Sequence, residues 1–158
     1  MAPMTLSEPA FIEALRGLAP DPAAGGLIDD AAVLGDIVLT HDMIVEGVHF
    51  LSSDPPADVA WKLLAVNLSD LAAKGAEPLG CLIGYMLSGD GEWDAGFLSG
   101  LREALGELAV PLLGGDTVSA PAGTPRSLGL TAVGRAPPGG APARSGARPD
   151  DTLWVTGR

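Results

Sequence analysis

The sequence contains one cysteine, Cys81, so an internal disulfide and a multi-cysteine zinc site are both excluded. Cys81 lies in an apolar run, which makes it a core position. Aromatic residues are also scarce: three Trp, three Phe and one Tyr among 158 residues. Aliphatic side chains, alanine and glycine must therefore fill the interior. Lys and Arg number nine against twenty Asp and Glu, a net charge of −11. Such a chain lacks the clustered cations that nucleic acid or an anionic membrane surface requires. A phosphorylated small molecule is not excluded, because divalent cations let carboxylates hold phosphate oxygens. No apolar run approaches the roughly 20 residues of a membrane span. No basic stretch followed by an apolar segment opens the sequence. The expectation is a soluble, cytoplasmic protein. What the chain does have is 47% hydrophobic residues, enough for a packed core in one domain of this length.

The stretch from Trp61 to Pro78 organises the rest. It is apolar around most of a helical circumference, through Leu63, Leu64, Val66, Leu68, Leu71 and Ala72. Asn67, Asp70 and Lys74 fall on one narrow stripe at i, i+3 and i+7. A helix apolar nearly all round is a buried one, and a buried carboxylate needs a cation or hydrogen bonds. Asp54 or Ser53 can cap its start, with Pro55 at the first helical position. Gly75 supplies a left-handed stop, and Pro78 blocks continuation.

Elsewhere, Thr5 to Leu18 reads as a short helix, with Ser7 as its cap and Phe11, Ile12, Leu15 and Leu18 at helical spacing. Gly35-Asp36 turns into a strand, Ile37 to Thr40, that delivers His41 and Asp42 at its end. Met43 to Phe50 reads as a continuing strand, and Leu79 to Leu87 as a buried one. Glu92 to Ala109 is an amphipathic helix whose apolar face is Trp93, Phe97, Leu101, Leu105 and Leu108. Val110 to Leu113 is a short strand entering a Gly114-Gly115-Asp116-Thr117 turn, and Ser127 to Arg135 and Thr152 to Thr156 are further strands. Ala136 to Pro149, rich in Pro, Gly and Ala, reads as a mobile loop or linker. The order of elements predicts an α+β fold, a mixed β-sheet with helices packed on one face.

Asp29-Asp30, Asp42 and Asp116 lie at or beside predicted strand ends, and Asp70 lies on the central helix. Such positions can converge on one sheet edge as a multi-carboxylate Mg²⁺ site, and a glycine-rich turn offers N–H groups to phosphate. Adjacent aspartates can equally be turn formers. The G-x-x-x-x-G-K-[ST] loop and the kinase catalytic loop are both missing.

The segments Asp29-Asp30-Ala31-Ala32, Thr40 to Phe50 (THDMIVEGVHF), Ala65 to Ala73 (AVNLSDLAA), Gly114-Gly115-Asp116-Thr117 and Arg144-Ser145-Gly146-Ala147 occur in order. Together they resemble the N-terminal half of the thiamine-monophosphate kinase family. That family lies within the wider superfamily of aminoimidazole ribonucleotide synthetase and selenophosphate synthetase. Val45-Glu46-Gly47-Val48-His49-Phe50 favours the thiamine enzyme among these. The resemblance runs from Ile28 to Gly157, so residues 1–27 form a lead-in helix and loop and residues 28–158 an ATP- and Mg²⁺-binding domain. It implies transfer of the ATP γ-phosphoryl group to thiamine monophosphate, giving thiamine diphosphate. The acceptor oxygen is already ionised, so charge neutralisation and in-line placement matter more than a strong base.

By the same resemblance, Asp30, Thr40, His41, Asp42, Asp70 and Asp116 occupy metal positions. Gly115, Asp116 and Arg144 occupy nucleotide positions, and His49 a substrate contact. No single catalytic residue is assigned. Three departures stand out: Ile28 replaces a usual glycine, His41 a usual Ser or Thr, and Lys74 a usual apolar residue. Lys74, on Asp70's own stripe, is a candidate partner for that carboxylate. The likeness ends at Arg158, where family members continue into a second domain. The expectation is thus either an isolated N-terminal domain or a truncated gene product, homodimeric, its sheets joined across the two-fold with nucleotide near the interface. Two alternatives are a sibling ATP-dependent synthetase (for the selenophosphate enzyme, which wants a reactive Cys near the N-terminus, Cys81 is badly placed) and a non-catalytic nucleotide-binding or dimerisation module.

Overall fold

In the computed structural model, which describes residues 6–121 and 123–155, Val38, Thr40 and Ile44 are buried while His41 and Met43 between them are exposed. That period of two is the mark of a strand covered on one face only. The elements are helix α1 (Glu8–Arg16), strands β1 (Ala32–Leu34) and β2 (Ile37–Val45), helix α2 (Pro56–Ala73), strand β3 (Glu77–Leu87), helix α3 (Gly91–Glu107), and strands β4 (Leu112–Ser119) and β5 (Ser127–Arg135). Short 3-10 turns occur at Pro22–Leu27 and Arg144–Gly146.

The five strands form one mixed sheet in the order β1-β2-β5-β3-β4. Strand β5 runs antiparallel to both β2 and β3, and β3 is parallel to β4 with α3 as the crossover. Helix α2 lies over β2 and β5, and α3 packs beside it. Phe97 of α3 sits over β3, its ring centroid 4.9 Å from that of Tyr85. The two helices approach very closely, since a Cβ on Gly100 would lie 2.3 Å from the Ala57 Cα. Val38, Leu63, Leu64, Leu71, Phe97, Leu128 and Leu130 are fully buried between sheet and helices. Each such side chain contributes about 1.5–3 kcal/mol of burial. The α+β architecture with helices on one face is as the sequence implies.

Several local expectations give way. Pro55, not Asp54 or Ser53, is the residue before α2; the Asp54 carboxylate instead accepts the Leu51 N–H at 2.8 Å, closing a turn of its own. Ser7 holds the cap position of α1 without a side-chain bond, and Phe11 and Leu18 are exposed. Thr5 lies outside the described residues. Strand β2 ends at Val45, and 46–50 form a tight turn in which the Gly47 N–H donates to the Phe50 carbonyl at 2.8 Å. Gly75 (φ 59) does end α2, but Pro78 is already inside β3. Leu108 is 39% exposed because it follows the last turn of α3. Residues 152–155 have no regular structure, and Thr156 lies outside the described residues.

The Gly114-Gly115-Asp116-Thr117 segment is strand, not turn. A Cβ on Gly115 (φ 154) would fall 1.9 Å from the Ile83 carbonyl oxygen. Glycine there lets the edge strand β4 close onto β3.

Candidate active site

Helix α2 and strand β2 are joined by a buried amide. Asn67 Nδ2 donates to the Leu63 carbonyl at 3.0 Å, and its Oδ1 accepts the Asp42 N–H at 3.0 Å. The Thr40 hydroxyl donates to the same amide oxygen and to the Asn67 carbonyl, at 3.4 and 3.3 Å. Asn67 therefore fixes the height of β2 against α2, and engages the Thr40 hydroxyl within the core. Three residues along α2, Asp70 is half-buried. Desolvation, then the charges of Asp42 and Asp30, hold its carboxyl above the usual range, offset in part by Arg144 and Lys74. Among the described residues no hydrogen bond contributes to holding that charge.

Lys74 does not pair with Asp70. Its ammonium turns to Asp29 Oδ1 and to the Pro142 carbonyl, 3.0 Å away. Asp29 is consequently held below the ordinary carboxylate range, chiefly by the Lys74 hydrogen bond. Arg144 docks on the same loop: its N–H donates to Asp29 Oδ2 at 3.2 Å, and its guanidinium pairs with Asp30. The 136–149 segment is thus pinned to the acidic loop rather than a free linker. Asp29 and Arg144 share a cavity of about 200 Å³ with Gly25, Ile28 and Ser145.

His41 and Asp116 lie on the opposite face of the sheet. With Met43, Gly84, Met86, Val118 and Gly129 they border a cavity of about 280 Å³ on the uncovered side. His41 Nδ1 lies 2.9 Å from the Thr131 hydroxyl. Alternation along β2 makes this division unavoidable, because neighbours on a strand point to opposite faces. Within one chain the six sequence-predicted metal positions therefore separate. Asp30, Thr40, Asp42 and Asp70 belong to the helix side, and His41 and Asp116 to the open side. No three His, Cys, Asp or Glu side chains among the described residues are gathered closely enough to hold an ion. The donor chemistry on the helix side still suits a hard divalent cation. It is all oxygen, and it includes an Asp70 carboxylate repelled by its neighbours and, among the described residues, without a hydrogen-bond donor of its own.

His49 sits exposed on the 46–50 turn. Its Nδ1 accepts the Val45 N–H at 3.0 Å, which leaves the ring proton on Nε2 as a donor. Its carbonyl accepts a hydrogen bond from Lys62 Nζ. The turn is anchored at its start by Glu46, whose carboxylate takes the Arg126 guanidinium at 2.9 Å and the Arg126 N–H at 3.2 Å. Arg126 in turn stacks on Trp93, 4.3 Å from the ring centre, and Trp93 stacks on Phe50 at the other end of the turn. Glu46 and Arg126 also border a cavity of about 420 Å³, with Ser52, Ser88 and Thr124. Sequence reasoning missed Arg126, since 80 residues separate it from Glu46 and no local pattern marks the pair. Lys74 and Asn67 had a signal, the polar stripe, but their partners were not readable from it.

A mixed sheet covered on one side by two helices, with Asp29 and Asp30 on the helix side paired to Lys74 and Arg144, defines an α+β domain. The family described as AIR synthase related protein, N-terminal domain, matches residues 28–136, and the chain belongs to that family. Among curated proteins it is 44% identical over 144 residues to thiamine-monophosphate kinase of Caulobacter vibrioides, covering 87% of this chain and 40% of that protein. It is 41% identical over 138 residues to the Escherichia coli K12 enzyme of the same name, covering 84% and 41%. A crystal structure of thiamine monophosphate kinase from Aquifex aeolicus superposes with a TM-score of 0.77 at 29% identity, covering 92% of this chain and 48% of that one. AaThiL complexed with AMPPCP and TMP gives 0.73 at 28% identity, covering 85% and 44%. The chain spans less than half the length of the curated relatives it matches.

Proposed function

We propose that this chain is the ATP- and Mg²⁺-binding part, residues 28–158, of a cytoplasmic thiamine-monophosphate kinase, forming thiamine diphosphate from ATP and thiamine monophosphate. The observation that carries the reading is Asp70, a half-buried carboxylate facing the charges of Asp42 and Asp30. Such a group calls for a cation, and a Mg²⁺ carried on nucleotide phosphates suits an all-oxygen donor set. Asp30, Asp42 and Asp70 do not surround an ion as they stand and would have to draw together to hold it; Mg²⁺ when bound would neutralise phosphate oxygens for in-line transfer.

The chain's own residues do the rest by placement. Asn67 holds Asp42 at the level of Asp70. Gly115 keeps β4 tight against β3, so that Asp116 is carried at a fixed height on the open face. Arg144 offers a planar fork to nucleotide phosphate. His49 presents Nε2–H as a donor to an oxygen of the acceptor. With the acceptor already ionised, none of these groups has to remove a proton. Because His41 and Asp116 lie across the sheet from Asp42, a complete site calls for a second copy. The uncovered sheet face, with Met43 54% and Val118 53% exposed, is the surface proposed to join it. No helix among the described residues is long and apolar enough to cross a membrane.

Calorimetry with AMPPCP, with and without Mg²⁺, tests the reading. Mg²⁺-dependent binding is expected; no binding at millimolar analogue would sink it. Thiamine diphosphate formation by the chain alone then separates a self-sufficient kinase from a nucleotide-binding and dimerisation module, which would bind without turnover. A monomeric mass by light scattering would remove the second-copy part of the proposal.

A further inference from the structure

Asp29 and Asp30 are adjacent in sequence yet held in opposite ways. Asp29 is saturated: its two oxygens take the Lys74 ammonium, the Asp30 N–H at 2.9 Å and the Arg144 N–H at 3.2 Å. Its side chain is only 16% exposed, and that of Lys74 only 5%. Among the described residues Asp30 meets one guanidinium, that of Arg144, and both side chains are exposed. An exposed pair of that kind is weak and easily exchanged, whereas a buried pair is costly to break.

Lys74 is also placed to be a fixed point. It follows directly on α2, its backbone N–H bonded to the Asp70 and Leu71 carbonyls, at the end of a helix where positive charge is favoured. From there its ammonium reaches both the acidic loop and the Pro142 carbonyl, two residues before Arg144. An ammonium has three donors, and two of them join segments far apart in sequence.

We infer that Lys74 is a positioning residue that withdraws Asp29 from the cation-binding set and clamps the 142–146 segment, and thereby Arg144, beside Asp30. Asp29 is then a strut and Asp30 the available ligand. Arg144 is kept at the site but held only by a bond that an incoming cation on Asp30 would release. This rests on Arg144 as a nucleotide contact, as proposed above, for its functional consequence; the clamp itself does not.

The test uses hydrogen exchange of the Arg144 region in the metal-free chain, together with calorimetry for AMPPCP with Mg²⁺. In Lys74→Met, exchange at the Arg144 amide should quicken by about tenfold or more, and analogue affinity should fall about tenfold, the scale of one lost charge-assisted bond. Lys74→Arg, which keeps the charge, should restore part of both. Should Lys74→Met fail to fold, the Lys74→Met/Asp29→Asn double variant leaves no unpaired buried charge and should show the same faster exchange. Unchanged protection at Arg144 in a folded variant overturns the inference. If the unaltered chain binds no analogue, the nucleotide reading fails, and the exchange data still decide the clamp.

Discussion

Gly115→Ala isolates the close approach of β4 to β3. The new Cβ would stand 1.9 Å from the Ile83 carbonyl oxygen and 2.9 Å from the Ile83 N and C atoms. These are backbone atoms of the paired strand, Ile83 being the register partner of Gly115, so no side-chain rotation relieves the clash. β4 must retreat by about 1.5 Å to reach an ordinary contact, in a conformation (φ 154) that L side chains rarely adopt. Overpacking of this kind costs about 1–3 kcal/mol, and the backbone strain adds about 1 kcal/mol. A loss near 3 kcal/mol lowers the melting temperature of a chain this long by roughly 6–12 °C. Because β4 is an edge strand paired, among the described residues, with β3 alone, hydrogen exchange should localise the damage to 112–119. Gly106→Ala is the control: nothing lies within 4 Å of its Cβ, and in helix α3 it should stabilise by about 0.4–1 kcal/mol. Circular dichroism melts of both variants decide the matter. A Gly115→Ala chain melting within about 2 °C of the parent would refute the argument that the glycine is a steric requirement.

Two further outcomes follow from the charges. Asp70→Asn should raise the thermal stability of the metal-free chain at neutral pH, because a carboxyl held above its usual range by burial and like charges costs stability once ionised; the same variant should lose Mg²⁺-induced stabilisation, and a variant that keeps it would leave Asp70 a structural residue. Asp29 has the opposite sign: its folded-state value is lowered by Lys74, so its contribution is present above the ordinary carboxylate range and disappears as the pH falls through the lowered value. Asp29→Asn should therefore cost about 3 kcal/mol at neutral pH, and denaturant titrations at falling pH should see that gap close; a gap independent of pH would show the ion pair to be unimportant.

The central helix shows how far local pattern reaches. Its length, its Gly75 stop and its polar stripe were readable because amphipathic periodicity is a property of neighbouring residues. Which cation answers which carboxylate was not. Lys74 and Asp70 share a helix face, yet the ammonium reaches Asp29, 45 residues away. The strand after Asp42 was overextended for a similar reason: Val48 and Phe50 have strand-like side chains, but closure by Gly47 and the Phe50–Trp93 stack turns the chain back.

By itself the sequence determined the class of fold, the acidic character of the site and the family, because these rest on composition, on periods of two and 3.6, and on motifs contiguous in the chain. Tertiary structure decided the rest. Asp29 and Asp30 became unlike, Arg126 came to hold the His49 turn, and His41 parted from Asp42 onto the other side of the sheet. Each outcome depends on a partner brought across tens of residues by strand pairing and helix packing, and local pattern carries no information about where such a partner will lie.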